Sequence, residues 1–312
     1  MNAISSPAVE SPVPAVDPGQ DQSEDGLAAE LARLRAEYDD LKLLYEAMIE
    51  HGEAVEDQLA EANLSLIQAQ ARLKEEVADA ARYVMSILPE PRAQLPVTDW
   101  LLVPSTELGG DTFGYHPIDE DHWAFYLLDV CGHGVGAALL SVTAINVLRA
   151  SALPNTDFRD PAAVLAGLND AFPMERQNNM FFTIWYGVYQ VSTRRLRFST
   201  GGHPPAIHLR TRGDGTVEPR PLITLGGVAI GAMPDIDYEC AETLVEPGDR
   251  LIVLSDGTFE VDGPDGEMLG FDELMRFTAE RSDAPQAVLD WIRSSNDGAS
   301  LPDDFSLVRV TF

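Results

Sequence analysis

From Leu27 to Ala80 apolar residues recur at alternating spacings of three and four, and this seam restricts the segment to a long helix with a stripe to cover. One seam position carries Leu31, Tyr38, Tyr45, Gly52, Leu59, Leu66, Leu73 and Ala80; the other carries Leu27, Leu34, Leu41, Met48, Val55, Ala62, Ala69 and Glu76. Only Gly52 and Glu76 interrupt it. A single helix would leave the stripe in water, so a seven-residue repeat of this length calls for a supercoiled pair, here a parallel homodimer; the other way to cover it is to fold the helix back on the rest of the chain. Pro89 and Pro91 in LPEPR stop the helix.

The residues ahead of the seam, 1–24, are rich in Pro, Ser, Ala and acid and hold almost no large apolar side chains, so they read as a disordered tail. The domain plan is therefore a tail over 1–24, a coiled-coil dimerisation and signalling helix over 25–88, and a catalytic domain over 89–312. Neither a secretory signal nor an apolar run of spanning length is present, which predicts a cytoplasmic protein with no membrane partner. Cys131 and Cys240, the only cysteines, suit a reducing compartment.

Charge excludes whole function classes. The formal net charge of −30 would repel a phosphate backbone, so nucleic acid is not expected as a partner. Lys42 and Lys74 are the only lysines, so the chain beyond residue 74 can hold neither a Walker A loop nor a kinase strand lysine nor a Schiff base.

Beyond residue 97 the texture becomes α+β. Apolar runs at 98–104, 122–130, 181–190, 195–200, 238–245 and 249–255 read as strands between Gly, Pro or Asp turns, and 136–150, 161–171, 271–280 and 285–294 read as helices. Most strands follow one another directly, which favours antiparallel sheets flanked by helices over a doubly wound parallel sheet.

Four acidic positions share one local design, an aspartate at the end of an apolar run beside glycine or a second acid. They are Asp111 in LGGDTFG, Asp129 in YLLDVCGHG, Asp256 in IVLSDGTFE, and the pair Asp303 and Asp304 in LPDDFSLV. Each alone is first of all a turn signal. Converging, they would repel one another unless hard divalent cations compensated their charge.

In order, spacing and flanks the set resembles the SpoIIE-type branch of the metal-dependent (PPM) serine/threonine phosphatases, the family that includes the RsbU-like regulators. The resemblance runs from about Ala81 to Phe312: AARYVMSILPEP looks like the family's leading helix, LGGD its first metal motif and LLDVCGHGVGAALLS its second. FFTIWYGVY, STGGHPPAIHLR, EPGDRLIVLSDGTFEV and PDDFSLVRV follow in family order. It implies a PPM-type αββα sandwich of two mainly antiparallel sheets, and two Mn²⁺ or Mg²⁺ ions activating water for direct hydrolysis. Asp129 would bridge the ions with help from the Val130 carbonyl, Asp111 would complete one side, and Asp256 and Asp303 would hold the second ion. Asp303 is taken over Asp304 because it fills the first position of the family's Asp-[Asp/Asn]-x-[Ser/Thr] motif.

The implied substrate is phosphoserine or phosphothreonine on a regulatory protein, in this family a STAS-type anti-sigma-factor antagonist. His133 in CGHG and His203 in TGGHPPA could orient water or protonate the leaving oxygen, though for His203, between two glycines and two prolines, a loop-shaping role is the stronger reading. Gly114 departs from the pattern: many relatives carry a second aspartate at that place, and a weak or inactive scaffold is the alternative function that the departure suggests.

Overall fold

The computed structural model describes residues 18–225, 227–263, 267–296 and 301–312. Its first element is a helix, α1 (Pro18–Ser86), about 100 Å long at about 1.5 Å per residue. Proline is tolerated at the first helical position because the amide it lacks has no partner there anyway. The tail expected over 1–24 thus lies outside the described residues as far as 17, and the helix starts ahead of the apolar seam. Within the compact unit that ends at Arg72, the seam residues Leu27, Leu34, Leu41, Tyr45, Met48 and Leu59 are 58% to 67% exposed.

The second unit, Leu73–Phe312, holds the remaining elements. In chain order these are β1 (Val97–Val103), β2 (Thr112–Pro117), β3 (His122–Val130), α2 (Val135–Arg149), α3 (Pro161–Ala171), β4 (Phe182–Gln190), β5 (Arg195–Gly201) and β6 (Ala206–Thr211). They continue with β7 (Val217–Leu222), β8 (Ala241–Leu244), β9 (Arg250–Leu254), α4 (Phe271–Glu280), α5 (Pro285–Ser295) and β10 (Phe305–Thr311). Two five-stranded antiparallel sheets result, ordered β1-β10-β9-β6-β7 and β2-β3-β4-β5-β8.

Strand parity explains the four layers, because successive side chains leave a strand on opposite faces. Along β3, Ala124, Tyr126, Leu128 and Val130 pack against Ala137, Leu140, Ile145 and Leu148 of α2 and Val164, Leu165 and Leu168 of α3. The intervening Phe125 and Leu127 meet Val253 and Val308 of the other sheet, with Phe113, Trp185 and Phe198 in the same inter-sheet layer. A third cluster seals the outer layer, joining Ile207, Ile252, Leu254, Phe305 and Leu307 to Leu274, Val288, Leu289 and Ile292 of α4 and α5. The expected αββα sandwich of antiparallel sheets is the fold observed.

The helices α2 to α5 and the strands β3, β4, β5 and β9 lie where the apolar periods put them, while β2, β6, β7 and β10 were not among the expected strands. Strand β7 reads VEPRPL, and its two prolines are accommodated because it is the last strand of its sheet. Among the described residues no helix is long and apolar enough to cross a membrane.

Candidate metal centre

Parity also delivers the acids. Asp129 continues the inter-sheet series Phe125, Leu127 to the end of β3, and Asp111 continues the series Tyr115, Phe113 backwards past the start of β2. On the other sheet Ser255 follows Leu251 and Val253 at the end of β9, and Ser306 and Asp304 extend the series Val310, Val308 to the start of β10. Core side chains thus give way to polar ones at one end of the inter-sheet layer. A cleft of about 430 Å³ opens there, lined among others by Ser105, Thr106, Asp129, Cys131, His133 and Asp303.

The acids act on one another electrostatically. Asp111 is buried, and its carboxyl is held well above the usual range, first by burial and then by the charges of Asp129 and Asp304. Asp129 is pushed up to about 7, again by burial first and then by Asp256, Asp303 and Asp304. Burial and the charge of Asp303 raise Asp256 as well. Four of the expected ligands, Asp111, Asp129, Asp256 and Asp303, are thereby brought to one place. Val130 is buried, and its carbonyl faces the loop before Asp111 so closely that a Cβ on Gly110 would lie 2.5 Å from it.

The chemistry of this donor set fits hard divalent cations. Asp111 Oδ2 is buried with no hydrogen-bond partner among the described residues, an arrangement expensive for a carboxylate unless a cation meets it. Among the described residues no group of three His, Cys, Asp or Glu side chains closes around a single point as the ligands of one ion. The acids are neighbours rather than a finished cage.

The adjacent acids just ahead of β10 have different tasks. Asp303 lines the cleft, whereas Asp304 is buried and its carboxylate accepts hydrogen bonds from Ser105 N at 2.8 Å, Ser105 Oγ at 3.0 Å, Gly110 N at 2.8 Å and Asp111 N at 3.4 Å. Its own carbonyl accepts from Ser255 Oγ at 3.1 Å. Glycine is required beside this strut: a Cβ on Gly109 would lie 2.0 Å from Asp304 Oδ2, and one on Gly257 would lie 2.2 Å from Asp304 O. Asp304 therefore ties the loop carrying Asp111 to the turn carrying Asp256. Sequence reading noticed Asp304 only as a rival ligand and missed Ser105, Ser255 and Ser306 as parts of this centre; the parity of β9 and β10 was the available signal.

The histidines separate. His133 is exposed on the cleft wall, one residue before Gly134, whose positive φ of 90° turns the chain into α2. His203 is buried with Nδ1 2.9 Å from Thr183 Oγ1, and burial lowers its pKa to about 3. Its Nε2 has no hydrogen-bond partner among the described residues. The imidazole is thus neutral and buried, and its partner Thr183 is the cross-strand neighbour of Asp129 in the β3–β4 register.

Gly114 has a local explanation. A Cβ there would lie 2.4 Å from Tyr126 Oη, because the Tyr126 ring covers the glycine across the β2–β3 pair and stacks on Tyr186 at 5.9 Å. Parity turns position 114 toward α2 rather than between the sheets, so a side chain there would point away from Asp111.

Comparison with known proteins follows the same path. Residues 119–312 match the model of the SpoIIE family, described as Stage II sporulation protein E; Asp111 lies just before the matched span. The phosphoserine phosphatase RsbU of Bacillus subtilis is 27% identical over 223 residues, 70% of this chain and 62% of that protein. Protein IcfG of Synechocystis is 26% identical over 235 residues, 66% of this chain and 36% of that protein. The chain thus spans less than two thirds of either relative. Among solved structures, the SiaA-PP2C domain of Pseudomonas aeruginosa superposes with a TM-score of 0.65 at 22% identity, covering 78% of this chain and 98% of that domain. The PP2C phosphatase domain of SpoIIE from Bacillus subtilis, solved with a fragment of its regulatory domain, gives 0.57 at 19% identity, covering 69% of this chain and 62% of that one. With the four-layer fold, the acids at one end of its inter-sheet layer and a family match over more than half its length, the chain belongs to the SpoIIE family.

Proposed function

We propose that this chain is a metal-dependent protein serine/threonine phosphatase acting on phosphoserine or phosphothreonine of a regulatory protein, with a STAS-type anti-sigma-factor antagonist as the candidate substrate. The observation that carries the reading is the convergence of Asp111, Asp129, Asp256 and Asp303 from four separate segments on one end of the sandwich. Asp111, Asp129 and the Val130 carbonyl would hold one Mn²⁺ or Mg²⁺ ion, and Asp129, Asp256 and Asp303 a second. Such a pair supplies Lewis acidity to the phosphoryl oxygens and a water of lowered pKa. His133, on the cleft wall, would give a proton to the departing serine oxygen. Direct hydrolysis is favoured over a covalent route because Ser255 Oγ is buried and already donates to Asp304 O. Phosphate release from a phosphoserine protein or an aryl phosphate is expected only with Mn²⁺ or Mg²⁺ and is lost in Asp129→Ala and Asp256→Ala. Unchanged turnover in either variant would overturn the mechanism, and partner binding with no turnover at all would favour the scaffold alternative.

We further propose that α1 forms a parallel homodimer and controls the centre. The exposed seam supports pairing, since a second copy would cover it. Coupling is supported where the helix leads into the domain: Leu88 is buried in the inter-sheet cluster, and Tyr115 Oη donates to Glu90 O at 2.5 Å. Trp100 Nε1 donates to Pro89 O at 2.9 Å. Tyr115 stands on the same face of β2 as Phe113, the face whose series ends in Asp111. Sedimentation of the full chain should show a dimer that Leu34→Lys with Leu41→Lys converts to a monomer; a monomeric wild type would contradict the pairing.

A further inference from the structure

One stretch of this acidic chain is locally rich in positive charge. Between positions 194 and 220 lie six arginines, against only Asp214 and Glu218, in a protein whose net charge is −30. Four of the six meet around the β6–β7 hairpin and the nearby Glu246. Arg210 faces Glu218 directly across the hairpin, and Arg220 stands two residues further along β7, on the same face. Glu218 takes the guanidinium groups of both Arg212 and Arg220. Glu246 takes Arg194 at 2.5 Å and lies 3.9 Å from Arg210.

Glu218 and Glu246 pair with four guanidinium groups and Asp214 in the hairpin turn acts on Arg212, so three carboxylates face four arginines, which leaves one net positive charge and unused N–H donors at this end of the sandwich. The side chains of Arg212 and Arg220 are 56% and 53% exposed. A cavity of about 410 Å³ is lined by Arg210, Thr211, Arg212, Gly213, Glu218 and Arg220. It is remote from the acids: Arg250, at the start of β9, pairs with Leu209 beside the patch, while Asp256 follows the end of that strand, roughly 20 Å away at about 3.3 Å per residue.

We propose that this face of the β6–β7 hairpin is a docking surface for a carboxylate-rich segment of a partner protein, held by Arg210, Arg212 and Arg220. Most of the surface repels such a segment, so the patch sets both where and in which orientation an acidic partner can approach. Guanidinium forks donate to carboxylates in bidentate fashion, and Glu218 acts as an internal competitor that the incoming acid displaces.

The test uses the full chain and a fluorescein-labelled octaglutamate peptide, followed by anisotropy at low salt. Binding is expected to weaken at least tenfold when NaCl is raised from about 50 to about 500 mM, through screening, and at least tenfold in the triple variant R210Q/R212Q/R220Q. The control triple R176Q/R281Q/R293Q, which also removes three exposed arginines, should bind within twofold of wild type. Glu218→Gln should bind more tightly, a gain that misfolding cannot produce. Absence of binding, equal loss in both triples, or no gain in Glu218→Gln would each overturn the proposal. None of these readouts depends on phosphatase turnover.

Discussion

Asp129→Asn is expected to lower metal-dependent phosphatase turnover by at least ~10²–10³-fold, the order lost when one charge-stabilising group is removed from a reaction centre, and yet to make the metal-free protein more stable. The two effects share one cause. Asp129 sits at the buried end of β3 with Asp256, Asp303 and Asp304 acting on it, so its carboxyl is raised from 3.8 to about 7. A carboxyl raised in the fold binds more protons folded than unfolded, so metal-free stability is fully present below about 4 and falls as pH rises toward about 7. Asparagine removes that contribution to the slope. Its melting temperature at pH 7.5 without metal should exceed that of wild type by on the order of 2–4 °C for each kcal/mol of repulsion relieved. With Mn²⁺ added the order should reverse, because the wild type gains the binding free energy of the ion and the variant loses most of it. A metal-free Asp129→Asn protein less stable than wild type would mean that the acids are not in electrostatic conflict.

Asp304→Ala should be damaging by a different route. The carboxylate is the acceptor for Ser105 N, Ser105 Oγ, Gly110 N and Asp111 N, and its loss strands buried amides at about 1–3 kcal/mol for each one that water does not reach. A destabilisation of about 2–4 kcal/mol is expected on that basis. The loop that presents Asp111 should loosen with it, so the variant should need a higher Mn²⁺ concentration for half-maximal turnover. Asp304→Asn keeps one acceptor oxygen and should fall between wild type and Asp304→Ala in both readouts. Asp303→Ala provides the contrast, with turnover lost and a smaller loss of stability, since Asp303 lines the cleft, contributes to the repulsion on Asp129 and Asp256, and accepts one hydrogen bond, from Asp304 N at 2.7 Å, where Asp304 accepts four. Equal loss of stability in Asp303→Ala and Asp304→Ala would erase the distinction between ligand and strut.

The division between these neighbours shows what a sequence can carry. The four aspartate motifs could be recognised from their glycine flanks and order, and the strand HWAFYLLDV has the bounds its apolar run predicts. Which of two adjacent acids turns inward could not be decided from their types. It follows from the register of β10, a strand that sequence reading did not set out as such, in which Val310, Val308 and Ser306 share the inter-sheet face and Asp304, one residue ahead of the strand, continues their series. Ser255 and Ser306 were illegible for a related reason: a lone serine carries no periodic signal, and its importance arises only when two sheets bring it beside Asp111.

Gly114 illustrates a different limit. The family pattern shows only that an acid is missing there, whereas the fold adds what takes its space, the Tyr126 ring on the helix-facing side of β2. The histidines divide along the same physical line. Loop composition favoured a structural His203, and its burial against Thr183 agrees with that reading. The exposed seam of α1, by contrast, was fully legible, because a heptad repeat is a local pattern that needs no tertiary partner to be seen.

Whether these carboxylates hold divalent cations that the reaction requires is read out by phosphate release from the full chain, stripped of metal with a chelator and then titrated with Mn²⁺ against an aryl phosphate. Turnover should be absent from the stripped protein, return with added Mn²⁺, and fail to return in Asp256→Ala at any concentration that saturates the wild type. Turnover that persists after stripping, or that returns equally in Asp256→Ala, would mean that the reaction does not need cations held by these carboxylates.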